Sequence, residues 1–256
     1  MLVADHFATL RQTRCWSPAI TFQGRTHCFG ELVAHGWQVG NGLLGIGLPG
    51  RERIAILAHN RPEFIELLIG AAASGQALAA LDWRLPDLDL IERLDEAGSR
   101  VLFVAGEFYE RAARMAPQLG RLRHIIALDD GHRRWPDYRR WRDAQRAARP
   151  RVRTRGEEEL LHLYARGAAG RPRAIGLTQQ SYERLFQALL GRRLLAGAAA
   201  AVRNMMPMFH LGGVNRSVLP LLRGAHLHLA DEAPAPGRGP PPAAARSARQ
   251  PAGERC

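Results

Sequence analysis

Short apolar runs alternate with helix-length amphipathic stretches through most of the chain. Asp5 to Arg14 reads as a short helix. Ala19–Phe22, Gly24 and Thr26–Phe29 read as a hairpin, and Phe29-Gly-Glu-Leu32 opens a helix that runs to about Leu44. Strand Arg53–Leu57 then leads through Asn60-Arg-Pro-Glu-Phe64 into a helix, with Pro62 suited to its first turn. Ala77–Leu81 is a strand, Asp82–Pro86 a loop, and the next helix ends near Ala97. Arg100–Val104 and His124–Leu128 are further strands separated by a helix. Strand–helix alternation with short, continuously apolar strands predicts an α/β fold whose parallel sheets are covered by helices on both faces. Phe64 to Leu81 is mostly apolar, but Glu66, Ser74, Gly75 and Gln76 interrupt it. A helix, turn and strand inside a core explain this stretch better than a membrane span.

Further along, Arg139 to Pro150 reads as a charged helix or connector. Leu160–Tyr164 is a strand, Gly167 and Gly170 bracket a loop of small residues, and a second short strand precedes a helix that starts near Thr178 and covers Tyr182 to Leu195. Ala199–Val202 is a candidate strand. His226-x-His228 places two imidazoles on one face of a strand, one ligand short of a zinc site. A sheet that ends at His228 is expected to expose its edge. Asp231 begins a run of Pro, Gly, Ala and Arg with few large apolar residues, which is expected to be disordered. The expected division is a domain over 1–230 and a tail over 231–256.

Composition changes this picture little. The 256 residues carry a formal charge of +12, and all 36 basic residues are Arg because the chain has no lysine. Such a charge raises a nucleic-acid hypothesis. The dense stretch from Arg111 to Arg155 alternates with Trp135, Pro136, Tyr138 and Trp141 and carries no nucleic-acid motif, so a solvated helical face is the expectation. Three cysteines without a Cys-x-x-Cys pair argue against a disulfide framework or zinc site. The first residues lack the apolar core of a signal peptide, and the cytoplasm is the expected location. Gly45-Ile-Gly-Leu-Pro-Gly50 fits a dinucleotide fingerprint in letters only. It follows a helix and precedes a strand, the reverse of what that site needs, and reads as a connecting loop. There is no Gly-x-Ser-x-Gly and no Walker-type loop.

The informative chemistry lies between Leu160 and Thr178. Gly167, Ala168, Ala169 and Gly170 form a tight loop, Pro172 stiffens its exit, and Arg173 places a charge beside it. Such loops can turn successive backbone N–H groups inward around an anion. The helix starting near Thr178 would add its positive end if it pointed at the same place. Tyr164, Gly167, Gly170 and Pro172 are in register with the phosphate loop of the adenylate-forming enzymes, the AMP-binding superfamily, and the chain resembles that family. Several other segments agree in order. They are the hairpin followed by Phe29-x-Glu-Leu32, the Asn60-x-Pro-Glu-Phe64 run, Leu81-Asp-Trp-Arg-Leu85, which is similar to a run in fatty-acyl-CoA synthetases, and Pro207-x-Phe-His-x-x-Gly213.

The resemblance implies the first part of that family's large domain. It also implies a two-step reaction: a carboxylic acid attacks ATP to give an acyl-adenylate, and coenzyme A then displaces AMP. ATP with magnesium, coenzyme A and a small-molecule acid are the implied ligands. Gly167, Ala168, Ala169, Gly170 and Arg173 would be the nucleotide phosphate site, and Phe209, His210, Gly212 and Gly213 the acyl pocket. No catalytic residue and no metal ligand is carried over. Departures from the family pattern matter as much as the matches. Ala165 and Arg166 replace Thr-Ser, Ala168 and Ala169 replace hydroxyl residues, Arg173 replaces lysine, and Ala174 replaces glycine. Gln179 and Ser181 stand for the usual His and Asn. An alanine side chain donates no hydrogen bond, and the family's catalytic lysine has no counterpart. The expectation is therefore a truncated, inactive relative of the acyl-CoA synthetases. The alternatives are a non-catalytic nucleotide- or acyl-binding regulatory module and a basic nucleic-acid-binding protein. A protein partner or self-association would cover the shortened sheet.

Overall fold

The computed structural model describes residues 1–48, 50–166, 172–191 and 201–230. Helix α1 (Val3–Thr13) precedes the hairpin of β1 (Pro18–Phe22) and β2 (Arg25–Cys28). Helix α2 (Phe29–Gly45) follows, its first turn capped where Cys28 Sγ accepts from Glu31 N. The alternating units are β3 (Arg53–Leu57), α3 (Pro62–Ser74), β4 (Ala77–Ala80), α4 (Asp87–Ala97), β5 (Val101–Val104), α5 (Tyr109–Met115) and β6 (His124–Ala127). The short α6 (Tyr138–Asp143) leads towards the hairpin of β7 (Glu159–Arg166) and β8 (Pro172–Thr178). Then come α7 (Gln179–Gly191), β9 (Val202–Asn204), α8 (Leu211–Leu222) and β10 (Leu227–Leu229).

Two sheets result. The larger runs β6-β5-β3-β4-β7-β8 and is parallel except for β8, which returns antiparallel on β7. Every residue of β4 and β5 is buried, as expected for strands covered on both faces. The smaller sheet runs β2-β1-β10-β9. Strand β10 pairs parallel with β1 on one side and with β9 on the other. This corrects the expectation that a sheet ending at His228 leaves its last strand exposed: β10 is an interior strand. It inserts between elements far apart in sequence, which a linear pattern does not reveal. Ile20 of β1 and Leu227 and Leu229 of β10 belong to the same buried cluster as the strands of the larger sheet.

Gly75 closes α3 in the left-handed conformation, at φ 78°, which lets β4 start two residues later, at Ala77. Within the expected loop at Gly45–Gly50, Gly45 ends α2, Ile46 and Gly47 turn the chain with Gly47 at φ 76°, and Pro49 lies outside the described residues. The Phe64–Leu81 stretch is the α3–β4 unit, and no helix among the described residues is long and apolar enough to cross a membrane. Residues 167–170, residues 199–200 and the tail from Asp231 lie outside the described residues.

Arg111 and Arg142 depart from the solvated-face reading of the Arg-rich stretch. Arg142 is buried and donates to Glu66 Oε2 at 3.0 Å. Glu66, read in the sequence only as an interruption, is buried and also receives Tyr138 Oη at 2.7 Å and faces His35 Nδ1 at 2.9 Å. Burial pushes the Glu66 carboxyl up, but His35, Arg142 and Tyr138 outweigh burial and hold it down at about 2.

Candidate functional site

The site forms where the C-terminal ends of β4 and β7 meet the start of α8. A cavity of about 980 Å³ is lined there by Leu163 and Tyr164 of β7, Ile175 and Leu177 of β8, and the Phe209–Gly212 segment. Asp82, Arg84 and Arg93 add its charged groups.

Two buried asparagines hold the Met-Pro-Met-Phe-His segment. Asn60, just after β3, donates through Nδ2 to Met206 O at 2.9 Å and accepts from Met208 N at 2.8 Å. Asn204 ends β9 and accepts from Met206 N at 2.9 Å, while its Nδ2 donates to Gly213 O at 3.1 Å and Ser217 Oγ at 2.7 Å. Together they satisfy backbone groups that would otherwise be unpaired in the core. The two glycines let this segment fold directly onto α8. A Cβ on Gly213 would lie 2.0 Å from Pro207 O, and one on Gly212 would lie 2.9 Å from Met206 Cε. Gly213 itself is buried and supports the turn, while Gly212 lines the cavity.

His210 occupies the N-cap position of α8, but its side chain makes no capping hydrogen bond. It is exposed and lines the cavity together with Phe209. Arg84 stacks over the Phe209 ring at 4.7 Å and donates to His210 Nε2 at 3.3 Å. That donation needs a neutral imidazole with its proton on Nδ1. Partial desolvation of the imidazole at the cavity wall lowers the His210 pKa, the Arg84 charge lowers it further, and Asp82 opposes them. Asp82 in turn takes Arg84 in a fork, with 2.8 Å to Nε and 2.7 Å to Nη2. The turn carrying Asp82 and Arg84 is clamped from α5. Arg111 donates to Trp83 O at 2.7 Å, to Leu85 O at 2.5 Å and to Asp87 Oδ1 at 2.7 Å. Sequence reasoning missed this residue because its targets are backbone carbonyls more than twenty positions away.

At the other wall, Tyr164 Oη donates to Arg93 O at 2.8 Å and the Arg93 guanidinium lies 4.9 Å from the ring. Burial raises the Tyr164 pKa well above the usual phenol range. Beyond Tyr164 the hairpin reaches the expected phosphate loop. Gly167, Ala168, Ala169 and Gly170 lie outside the described residues. Arg173 is exposed on β8, paired across the hairpin with Ala165.

The helix-dipole expectation fails. Thr178 caps α7 by accepting from Ser181 N at 3.1 Å, and it pairs with Glu159 at the far end of the hairpin from residues 167–171. At strand rise, the seven residues of β8 set that helix end roughly 20 Å from Pro172, the first described residue after the loop. The start of α7 therefore lies at the opposite end of β8 from the point where the loop joins it. The described residues bring no group of three or more His, Cys, Asp or Glu side chains into metal-binding proximity. Two of the loop positions expected to carry hydroxyls are alanines, Ala168 and Ala169, and the chain has no lysine.

The pattern of the AMP-binding enzyme family matches residues 7–242. The chain belongs to that family. A fatty acid–[acyl-carrier-protein] ligase of Streptomyces coeruleorubidus is 26% identical over 207 residues, which cover 77% of this chain and 37% of that protein. An indoleacetate–CoA ligase of Aromatoleum aromaticum is 26% identical over 205 residues, covering 80% and 40%. This family member thus spans well under half the length of these relatives. Among solved structures, the anthranilate CoA ligase AuaEII in complex with anthranoyl-AMP superposes with a TM-score of 0.85 at 21% identity, over 91% of this chain and 45% of that one. A Mycobacterium tuberculosis fatty acyl CoA synthetase gives 0.81 at 18%, over 90% and 45%. At such identities the structural likeness establishes the α/β fold with helix-flanked parallel sheets.

Proposed function

We propose that this chain is a non-catalytic, acyl-CoA-synthetase-like AMP-binding protein that retains a pocket for a carboxylic acid. The observation that carries this reading is the single cavity shared by the β7–β8 hairpin and the Phe209–His210 segment. Relatives named for fatty acid, indoleacetate and 3-hydroxybenzoate support a carboxylic acid as the ligand class, without choosing between aliphatic and aromatic. Phe209, His210 and Gly212 line the pocket and Gly213 shapes it. Gly167, Ala168, Ala169, Gly170 and Arg173 are the reduced nucleotide phosphate site.

The silence follows from donors. Losing one well-aimed donor to a charged transition state costs roughly 100- to 1000-fold in rate, and Ala168 and Ala169 offer none from their side chains. Arg173 keeps a positive charge, but as a planar fork in place of a compact ammonium. ATP and coenzyme A, the ligands the family resemblance implies, are held weakly at most on this account. The test is pyrophosphate exchange with ATP and a panel of fatty and aromatic acids, beside calorimetry with the same acids. Acid binding with exchange at background is expected; robust exchange overturns the silence. The nucleic-acid reading finds less support, because guanidinium groups such as Arg53, Arg61, Arg111 and Arg142 are held by carboxylates within the fold.

A further inference from the structure

Among the described residues the two sheets end in four edge strands, β2 and β9 in the smaller and β6 and β8 in the larger. An open edge invites another strand unless it is short, charged or covered. Three of these edges are blunted in those ways. Strand β9 has three residues, and β2 has four and starts with the exposed Arg25. Strand β6 has four, and its Ala127 is already bridged to Asp137. The exception is β8. It has seven residues, pairs with β7 on one side only, and leaves Arg173, Ile175 and Gly176 exposed. An apolar patch flanks it: Ile175, Leu211 and Met206 are 38%, 39% and 45% exposed. The first two line the cavity, and Met206 lies over Gly212 beside them. Free main-chain groups along an edge, next to exposed apolar side chains, are the two components of a strand-addition interface.

We propose that β8 is a self-association edge, through which two copies of this chain pair antiparallel about a two-fold axis at Ile175. Charge selects the partner and its register. The only charged residue of β8, Arg173, stands near its start. Its last residue, Thr178, pairs with Glu159, two positions after the exposed Glu157. Neither Arg173 nor Glu157 has an ion-pair partner among the described residues. Antiparallel pairing over all seven residues joins Ile175 to Ile175. It also sets Arg173 of one copy opposite Leu177 of the other, towards the Glu157 end. A two-fold axis placed two residues earlier would oppose the two Arg173 side chains, and like charges directly opposite are destabilising. Residues 173, 175 and 177 share one face of the strand, and Ile175 and Leu177 line the cavity. The second copy therefore places its Arg173 on the cavity side of the joined sheet. The expected self-association thus moves from the end of the smaller sheet to the edge of the larger one.

Sedimentation velocity of the full chain over a concentration series tests this, with circular dichroism confirming that each variant is folded. One strand pair and its flanking patch make a small interface, so the wild type should be a monomer–dimer mixture with a Kd on the order of micromolar. Ile175→Lys opposes two like charges across the axis and should weaken the dimer by about tenfold or more. Arg173→Glu and Glu157→Arg should each weaken it, and the double variant should recover most of the loss. Amide hydrogen exchange along β8 should slow as concentration rises. A wild type that stays monomeric throughout, or a dimer indifferent to Ile175→Lys, would overturn the proposal. So would a ladder of larger species, which marks unspecific aggregation. A monomer whose β8 amides exchange slowly at every concentration would give the edge to residues 231–256 of the same chain and overturn the second copy as occupant. Charge reversals without effect, or a double variant without recovery, would overturn the two-fold register.

Discussion

Glu66 shows how much one buried charge organises here. Its carboxylate is the meeting point of α2, α3 and α6 through His35, Tyr138 and Arg142. Removing one partner of a buried pair costs about 3–5 kcal/mol, because the other charge stays buried alone. Glu66→Gln should therefore lower stability by that order in urea unfolding near neutral pH. The sign with pH follows from its depressed pKa. Its contribution is present above the ordinary carboxylate value of 4.5 and is lost as pH falls towards about 2. Wild type should thus lose more stability than Glu66→Gln across that window, and parallel pH curves would count against this account. The sequence exposed Glu66 only as a polar break in an apolar run, since its partners stand 31 to 76 residues away. Asn60 was visible within its motif, yet its twin bonds to Met206 and Met208 were not, because backbone groups carry no signature in a sequence. His210 was legible for the opposite reason, since Pro-x-Phe-His-x-x-Gly is a contiguous local pattern.

At the scale of elements, α2 and α3 pack closely through small residues. A Cβ on Gly36 would meet Ile69 Cγ2 at 2.4 Å and Ile69 Cβ at 2.5 Å, and one on Gly70 would meet Val39 Cγ1 at 2.5 Å. Alanine in place of a helical glycine is worth up to about 1 kcal/mol from propensity, but overpacking a tight interface costs about 1–3 kcal/mol. Contact wins at position 36, so Gly36→Ala should destabilise. At Gly45 the nearest atom to an added Cβ is Gln145 Oε1 at 3.9 Å, and propensity wins there. Gly45→Ala should leave the thermal midpoint unchanged or raise it. Two variants of the same chemistry moving in opposite directions is the expected reading, and a common direction would refute the packing argument. Helices and strands were largely legible, with β3 predicted at its observed bounds, because burial writes a period into the residues. Strand order was not. The β1–β10 pairing joins Ile20 to Leu227, and nothing in either run names the other.

For the whole molecule, the decisive fact is that β10 lies inside the smaller sheet, between β1 and β9, and that this sheet shares one buried core with the larger sheet. Helix α1 ties them further, touching α2, α3, α7 and α8. An exposed terminal strand would have made the second sheet a separate, weakly held unit that unfolds first. An interior β10 instead couples it to the rest. Ile20 of β1 is fully buried in the common core, so Ile20→Ala creates a cavity worth about 2–5 kcal/mol. If the two sheets unfold as one, that loss shifts the midpoint of a single transition, and fluorescence and far-ultraviolet circular dichroism report the same curve. If the smaller sheet is independent, the variant should develop an early phase that ends before the larger sheet melts. Five tryptophans make fluorescence sensitive to both regions: Trp16 precedes β1, and Trp83, Trp135 and Trp141 lie near the larger sheet's loops and helices. Coincident curves in wild type and a uniform shift in Ile20→Ala are expected. Divergent probes would show that burial in one cluster does not make one cooperative unit.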